Sequence, residues 1–189
     1  MKRRKYTVSL DEELKLDLRY SEIERMKGNL YDVWTDGSCD NVYTKAGGAG
    51  YVIVKDGEVL KIKNKGFINT TNNRMELLAI ISAINSLPDE ASILVHTDSK
   101  YSISALKHGA LAKNNDLVSL FNKLIKGRKI YFNWIKGHYG IEYNEMADEL
   151  AFSAYQDISK KNNLPVSKLM MKIHWLEFKN KKYEVSKVF

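Results

Sequence analysis

Apolar positions set the elements of this chain. Leu77, Ile80, Ile81, Ile84 and Leu87 recur at helical spacing and Pro88 follows, which predicts a helix over 72–87. Upstream, Tyr31, Val33 and Thr35 alternate with Asp32, Trp34 and Asp36, a strand over 30–36. A polar, glycine-rich stretch at 37–47 reads as a loop, and Ala49 to Val54 as a second strand. Asp56-Gly57 is a two-residue hairpin signal, so 58–67 returns as an antiparallel third strand. Ile93-Leu94-Val95 is a short buried strand ending at Thr97-Asp98. Helices follow at 99–108, closed by Gly109, and at 116–126, ended by Gly127. Alternation of Ile130, Phe132 and Trp134 with Tyr131 and Asn133 gives a strand over 128–135, and a long helix covers 143–160. Before all of these, Leu10, Leu14, Leu18 and Ile23 suggest a helix over 11–27, ended by Gly28-Asn29.

The order β-β-β-α-β-α-α-β-α implies an α/β fold: a five-stranded mixed sheet flanked by helices, spanning 30–160. Residues 1–29 form a helical N-terminal extension. The stretch 161–168, with Asn162, Asn163 and Pro165, reads as a linker. Beyond it, 170–178 and 182–188 fit a β-hairpin turning at Asn180, within a C-terminal extension of 161–189.

Composition narrows the function class. The 189 residues carry a formal charge of +7, 44% apolar residues, one Cys and two Pro. One Cys excludes an internal disulfide or a Cys-based zinc cluster and fits a reducing, cytoplasmic compartment. No apolar run approaches the roughly 20 residues of a membrane span. The basic start Met1 to Lys5 runs into Asp11, Glu12 and Glu13, where a secretory signal needs an apolar stretch. The positive surplus points to a polyanionic partner, but it is unevenly placed. Residues 160–189 hold eight Lys and two Glu, whereas 31–159 hold 14 basic and 15 acidic residues.

Four acids stand out by position. Asp36 closes the first strand and Asp98 the fourth. Glu76 begins the 72–87 helix, and Asp148 lies in the first half of the last one. Each has a structural reading: Asp36-Gly37 as a turn, Asn73 with Glu76 as a capping arrangement, Asp98-Ser99 as an N-cap, Asp148 as a solvated helix face. Together, at strand ends of a mixed sheet, they read differently. At roughly 4 Å and an effective dielectric near 20, each like-charged pair costs about 4 kcal/mol. Hard divalent cations remove that cost, and Mg²⁺ and Mn²⁺ favour carboxylate and water oxygens.

Five blocks then carry a resemblance. Thr35-Asp36-Gly37-Ser38-Cys39, Thr71-Asn72-Asn73-Arg74-Met75-Glu76-Leu77, Thr97-Asp98-Ser99, Trp134-Ile135-Lys136-Gly137-His138 and Asn144 through Ala151 (NEMADELA) occur in the order of type 1 ribonuclease H. The region 30–160 resembles that family. The resemblance implies a ribonuclease H-like fold and a metal-dependent endonuclease that hydrolyses the RNA strand of RNA–DNA hybrids, leaving 5′-phosphate and 3′-hydroxyl ends. It implies Asp36, Glu76, Asp98 and Asp148 as ligands of two divalent cations, Mg²⁺ or Mn²⁺. Asp36 would bridge both, Asp148 would complete the ion beside the attacking water, and Glu76 with Asp98 the ion beside the leaving 3′-oxygen. His138 matches the family's mobile histidine, associated with proton transfer and product release. Asn72 and Asn73 would meet the minor groove, where 2′-hydroxyls distinguish RNA. Thr71 would meet a DNA-strand phosphate, and Gly37, Ser38 and Cys39 would approach the backbone closely. Asn144 and Glu145 match positions beside the active site.

The chain also departs from the family. Lys100 stands where related enzymes often carry Gln. The stretch 107–116 is too short for the family's basic protrusion, and residues 1–30 do not match its separate hybrid-binding domain. The C-terminal extension, with Lys172, Trp175, Phe178, Lys179, Lys181 and Lys182, has the composition to contact phosphates and stack on bases in place of that protrusion. His96 reads as packed within its strand, and His108 and His174 carry no motif. Two other functions stay open from the residues alone: a non-catalytic hybrid-binding module of the same fold, and another nuclease of the superfamily acting on DNA.

Overall fold

The computed structural model describes residues 28–109, 113–137 and 140–167. The expected helix over 11–27, His138, His174 and the C-terminal hairpin with Lys172, Trp175, Phe178, Lys179, Lys181 and Lys182 lie outside the described residues.

The elements are β1 (Leu30–Cys39), β2 (Gly47–Lys55), β3 (Glu58–Phe67), α1 (Asn72–Asn85), β4 (Ser92–Thr97), α2 (Lys100–His108), α3 (Asn115–Leu124), β5 (Lys129–Trp134) and α4 (Glu142–Lys161). The sheet order is β3-β2-β1-β4-β5. β1 is antiparallel to β2 and parallel to β4, and β4 is parallel to β5. The expected mixed sheet is therefore present, and it carries helices on both faces. On one face Val33, Ile93, Val95 and Phe132 pack with Leu77, Ile80, Ile84, Ile103, Leu106 and Phe121 of α1, α2 and α3. On the other, Val52 and Val54 pack with Met146, Ala147 and Leu150 of α4.

The hairpin at Asp56-Gly57 turns with positive φ at both residues (52° and 83°), the geometry that matches strand twist. The 37–47 stretch is different from its reading as a loop. β1 continues through Gly37, Ser38 and Cys39, which pair with Ala49, Gly48 and Gly47, so only 40–46 is a loop. Glycines here serve packing rather than turning. A Cβ on Gly48 would sit 2.1 Å from the Ala151 carbonyl oxygen, and one on Gly50 would sit 2.6 Å from that of Ala147. The missing side chains let α4 lie directly on β2.

Helix caps correct one reading and sharpen another. Thr71, not Asn73 with Glu76, caps α1: its hydroxyl accepts the Arg74 N–H at 3.3 Å. Of the Asp98-Ser99 pair it is Ser99 that caps α2, by accepting the Ser102 N–H. Both acids are thereby released from capping duty. α2 and α3 are joined by 109–114 alone, too short for a basic protrusion.

Candidate metal centre

Two backbone facts bring the acids together. The parallel register sets Trp34 beside His96, so two residues on, Asp36 lies beside Asp98 at the carboxyl ends of β1 and β4. Gly37 then lets the start of α1 lie close against β1, because its absent Cβ leaves room for the backbone of Met75 and Glu76. Asp36, Glu76 and Asp98 each offer a carboxylate oxygen within 4.8 Å of the others. Asp148, on α4, shares a hydrogen bond with Asp36. All four acids singled out from the sequence thus converge.

The cluster is dry. Asp36 is 8% and Glu76 4% exposed. Burial, then the charges of Glu76, Asp148 and Asp98, push the Asp36 carboxyl well above the usual range. Burial and Asp98 push Glu76 up likewise, opposed by hydrogen bonds from Asp36, the Gly37 N–H and Asn72. Burial and mutual repulsion thus work against the charged forms of Asp36 and Glu76 where no cation is bound. The donor set fits a hard cation: all ligand atoms are carboxylate oxygens, and Glu76 Oε2 is buried with no hydrogen-bond partner among the described residues. A buried acceptor without a hydrogen-bond partner, on a member of an acidic cluster, suits a metal–oxygen bond.

Neighbouring residues frame the centre. Asn72 Nδ2 lies 3.4 Å from Glu76 Oε1, Asn73 is exposed one residue on, and Thr71 is occupied as a cap. Ser38 and Cys39 are buried strand residues, so what they present outward is confined to main chain. Asn144 is buried in the first turn of α4 with Oδ1 unpartnered, and Glu145 accepts the Gly140 N–H at 3.2 Å. Lys100 Nζ sits 4.5 Å from the centre of the Trp134 ring, and the Trp134 indole N–H donates to the Asp98 carbonyl at 3.0 Å. A Cβ on Gly137 would fall 2.1 Å from Asp98 Oδ2. Lys100 is therefore held beside the acids, on the element that begins where Asp98 ends.

His96 is packed as expected: it stacks on Trp34 at 3.9 Å between ring centres, and its ring nitrogens lie 2.8 Å from Asp32 Oδ1 and 3.0 Å from Asn133 Nδ2. His108 is exposed at the end of α2. Three supports escaped the sequence reading. The Trp134–Asp98 contact had its indole within a recognised block, but no spacing pointed to the carbonyl. Gly137 was noticed only as a flank of His138. Asp40, a further buried acid, carried no signal. Burial works against its ionisation, but the N–H groups of Tyr43, Val42 and Thr44 and the Thr44 hydroxyl hold its carboxyl below the usual range.

A family model described as RNase H matches residues 29–156. The chain is 37% identical to a ribonuclease H of Actinobacillus succinogenes, the match covering 64% of this chain and 86% of that protein. It is 35% identical to a ribonuclease H of Desulforamulus reducens (73% and 94% covered) and 33% identical to a ribonuclease HI of a Synechocystis species (68% and 89%).

Proposed function

Because the chain belongs to the ribonuclease H family, we propose that Asp36, Glu76, Asp98 and Asp148 hold two divalent cations for its cleavage of the RNA strand in RNA–DNA hybrids. Its activity is that of the family, an endoribonuclease acting on such hybrids. The convergence of three carboxylates within 4.8 Å, two of them buried, is the observation that carries the metal assignment. Bound there, Mg²⁺ or Mn²⁺ would supply an activated water and a stabilised 3′-oxygen leaving group, giving 5′-phosphate and 3′-hydroxyl ends.

The chain's own residues divide the remaining work. Asp36, beside the other three acids, would contribute to both ligand sets. Asp148 would serve the side of the attacking water, and Glu76 with Asp98 the side of the leaving oxygen. Asn72 and Asn73 read the minor groove, where the 2′-hydroxyl is both donor and acceptor. Thr71 meets a DNA-strand phosphate, and Gly37, Ser38 and Cys39 meet backbone through their main chain. Asn144 and Glu145 line the cleavage site, and Lys100 lies against a nearby phosphate. His138 moves a proton to the leaving oxygen and aids product release. The catalytic unit spans 30–160. Residues 168–187 substitute for the missing protrusion, with Lys172, Lys179, Lys181 and Lys182 on phosphates and Trp175 and Phe178 on bases. The single buried Cys39 and the absence, among the described residues, of any helix long and apolar enough to cross a membrane suit work in the cytoplasm.

The test compares cleavage of labelled hybrid, duplex DNA, duplex RNA and a four-way junction with EDTA, Mg²⁺ or Mn²⁺. Hybrid alone should be cut, only with metal, and Asp36→Asn should lose cutting. Metal-independent cleavage, or an active Asp36→Asn enzyme, would overturn the ligand assignment. Replacing the four C-terminal lysines by Gln should raise KM and flatten its salt dependence by up to about 0.9 in log–log slope per lost phosphate contact.

A further inference from the structure

The β1–β2 loop carries two exposed apolar side chains for which the fold has no use. Val42 is 70% and Tyr43 81% exposed. Yet the loop beneath them is tightly built. The Asp40 carboxylate accepts three successive N–H groups, from Val42 and Tyr43 at 3.1 Å and from Thr44 at 3.3 Å. Main-chain bonds close its base, Lys45 to Asp40 and Asp40 to Ala46, both at 3.0 Å. The ring of Tyr43 is thus presented outward from a fixed frame, which lowers the entropy a contact would cost.

That frame is fastened to the substrate side of the centre. Asn41 Oδ1 accepts the Asn72 N–H at 3.0 Å, and the Lys45 carbonyl accepts the Thr70 N–H at 2.9 Å. Asn72 in turn reaches Glu76 of the acid cluster. Tyr43 thus stands on the same braced loop as Asn41, whose side chain holds the main chain of Asn72, a residue assigned to the minor groove.

We propose that the loop tip, Tyr43 with Val42 beside it, is a further substrate-contact element, the Tyr43 ring packing on the sugar edge of the bound RNA–DNA hybrid. This rests on the ribonuclease reading of the centre. An amphipathic ring of this kind buries apolar area against sugar at little conformational cost. Val42 extends the same apolar contact.

The test uses the full chain. Binding of fluorescent hybrid is measured in the Asp36→Asn background, with and without Tyr43→Ala, and steady-state cleavage is measured for Tyr43→Ala and Tyr43→Phe alone. Tyr43→Ala should weaken binding and raise KM about five- to tenfold, with kcat within twofold and an unchanged Tm. Tyr43→Phe, which keeps the ring, should stay near wild type. Unchanged binding and KM in Tyr43→Ala would overturn the proposal while leaving the ribonuclease assignment standing, and would leave the patch for a protein partner. Failure of the unsubstituted chain to cut hybrid, with Tyr43-dependent binding intact, would instead sink the catalytic reading alone.

Discussion

Gly37→Ala is the sharpest probe of how the centre is assembled. A methyl group at this position would lie 2.4 Å from Glu76 N, 2.8 Å from Met75 C and 3.0 Å from Glu76 Cα. Ordinary contact begins at 3.4 Å, so the first turn of α1 must retreat by about 1 Å. The obstructing atoms are backbone, and Met75, Leu77 and Ile80 behind them are fully buried, so no flexible side chain can yield instead. Overpacking of this kind costs about 1–3 kcal/mol. The retreat carries Glu76 away from Asp36 and Asp98, and a misplacement of about 1 Å at a reacting centre can cost 10²-fold in rate. The assay is kcat at saturating hybrid and metal, with Tm recorded in parallel. The expected result is a loss of about 10²-fold in kcat with a lowered Tm. Gly57→Ala, at the open hairpin turn with nothing within 4 Å, should keep full kcat even though its positive φ costs some stability. A Gly37→Ala enzyme with wild-type Tm and kcat within threefold would refute the need for this close approach.

Further outcomes follow from the same structure. Asp36 and Glu76 have folded-state affinities for protons raised above their ordinary values of 3.8 and 4.5. The unfolded chain therefore binds fewer protons there, and the stability of the metal-free protein falls as pH rises above about 4 through the raised values. Thermal melts in EDTA should show that decline, Mg²⁺ should reverse it at pH 8, and Glu76→Gln should raise the metal-free Tm at pH 8 by roughly 2–4 °C; a flat profile contradicts the buried-charge account. Burial and Asp40 push the Cys39 thiol up to about 11, so iodoacetamide at pH 8 should leave it unlabelled in native protein and modify it only in urea. Rapid stoichiometric labelling of the native form would refute this. Arg128 donates to the Ile84 carbonyl at 2.7 Å and the Leu87 carbonyl at 3.3 Å, tying the start of β5 to the end of α1. Arg128→Ala should cost about 1–3 kcal/mol in urea melts, whereas removal of its exposed partner Asp89 should change little.

Long-range convergence was legible in the sequence because it follows from periodicity and strand order. Alternation marked β1 and a short apolar run marked β4, and parallel pairing of neighbouring strands carries their carboxyl ends to one edge. The stripe of Leu77, Ile80 and Ile84 fixed the face of α1. What failed was local. Asp36-Gly37 looks like a turn because glycine is commonest there, yet the same residue type is demanded where a helix backbone approaches a strand. Only the partner, invisible in sequence, tells these apart. Thr71 and Ser99 are the caps because each stands just before its helix, where a short hydroxyl reaches the N–H three residues on, leaving Glu76 and Asp98 available. Trp134 on Asp98 and Asn41 on Asn72 are side chain-to-backbone contacts between distant segments, and no spacing rule encodes them.

Burial of the acids has a cost that explains the rest of the site. Carboxylates in water would bind protons weakly and cations weakly alike. Drying Asp36 and Glu76 strengthens both attractions, so protons and metal compete for the same oxygens. Near neutral pH the outcome depends on how many ligands a cation can gather at once, since a proton satisfies one oxygen and a divalent ion several. Two acids would leave that contest close. Four, drawn from β1, β4, α1 and α4, favour the ion, and each additional carboxylate also raises the repulsion that only the ion relieves. The glycines at 37, 48, 50 and 137 are what permit four elements to approach so closely. Cation loading should therefore release protons, and the number released should fall by about one in each single Asp→Asn or Glu→Gln variant whose acid is protonated before loading.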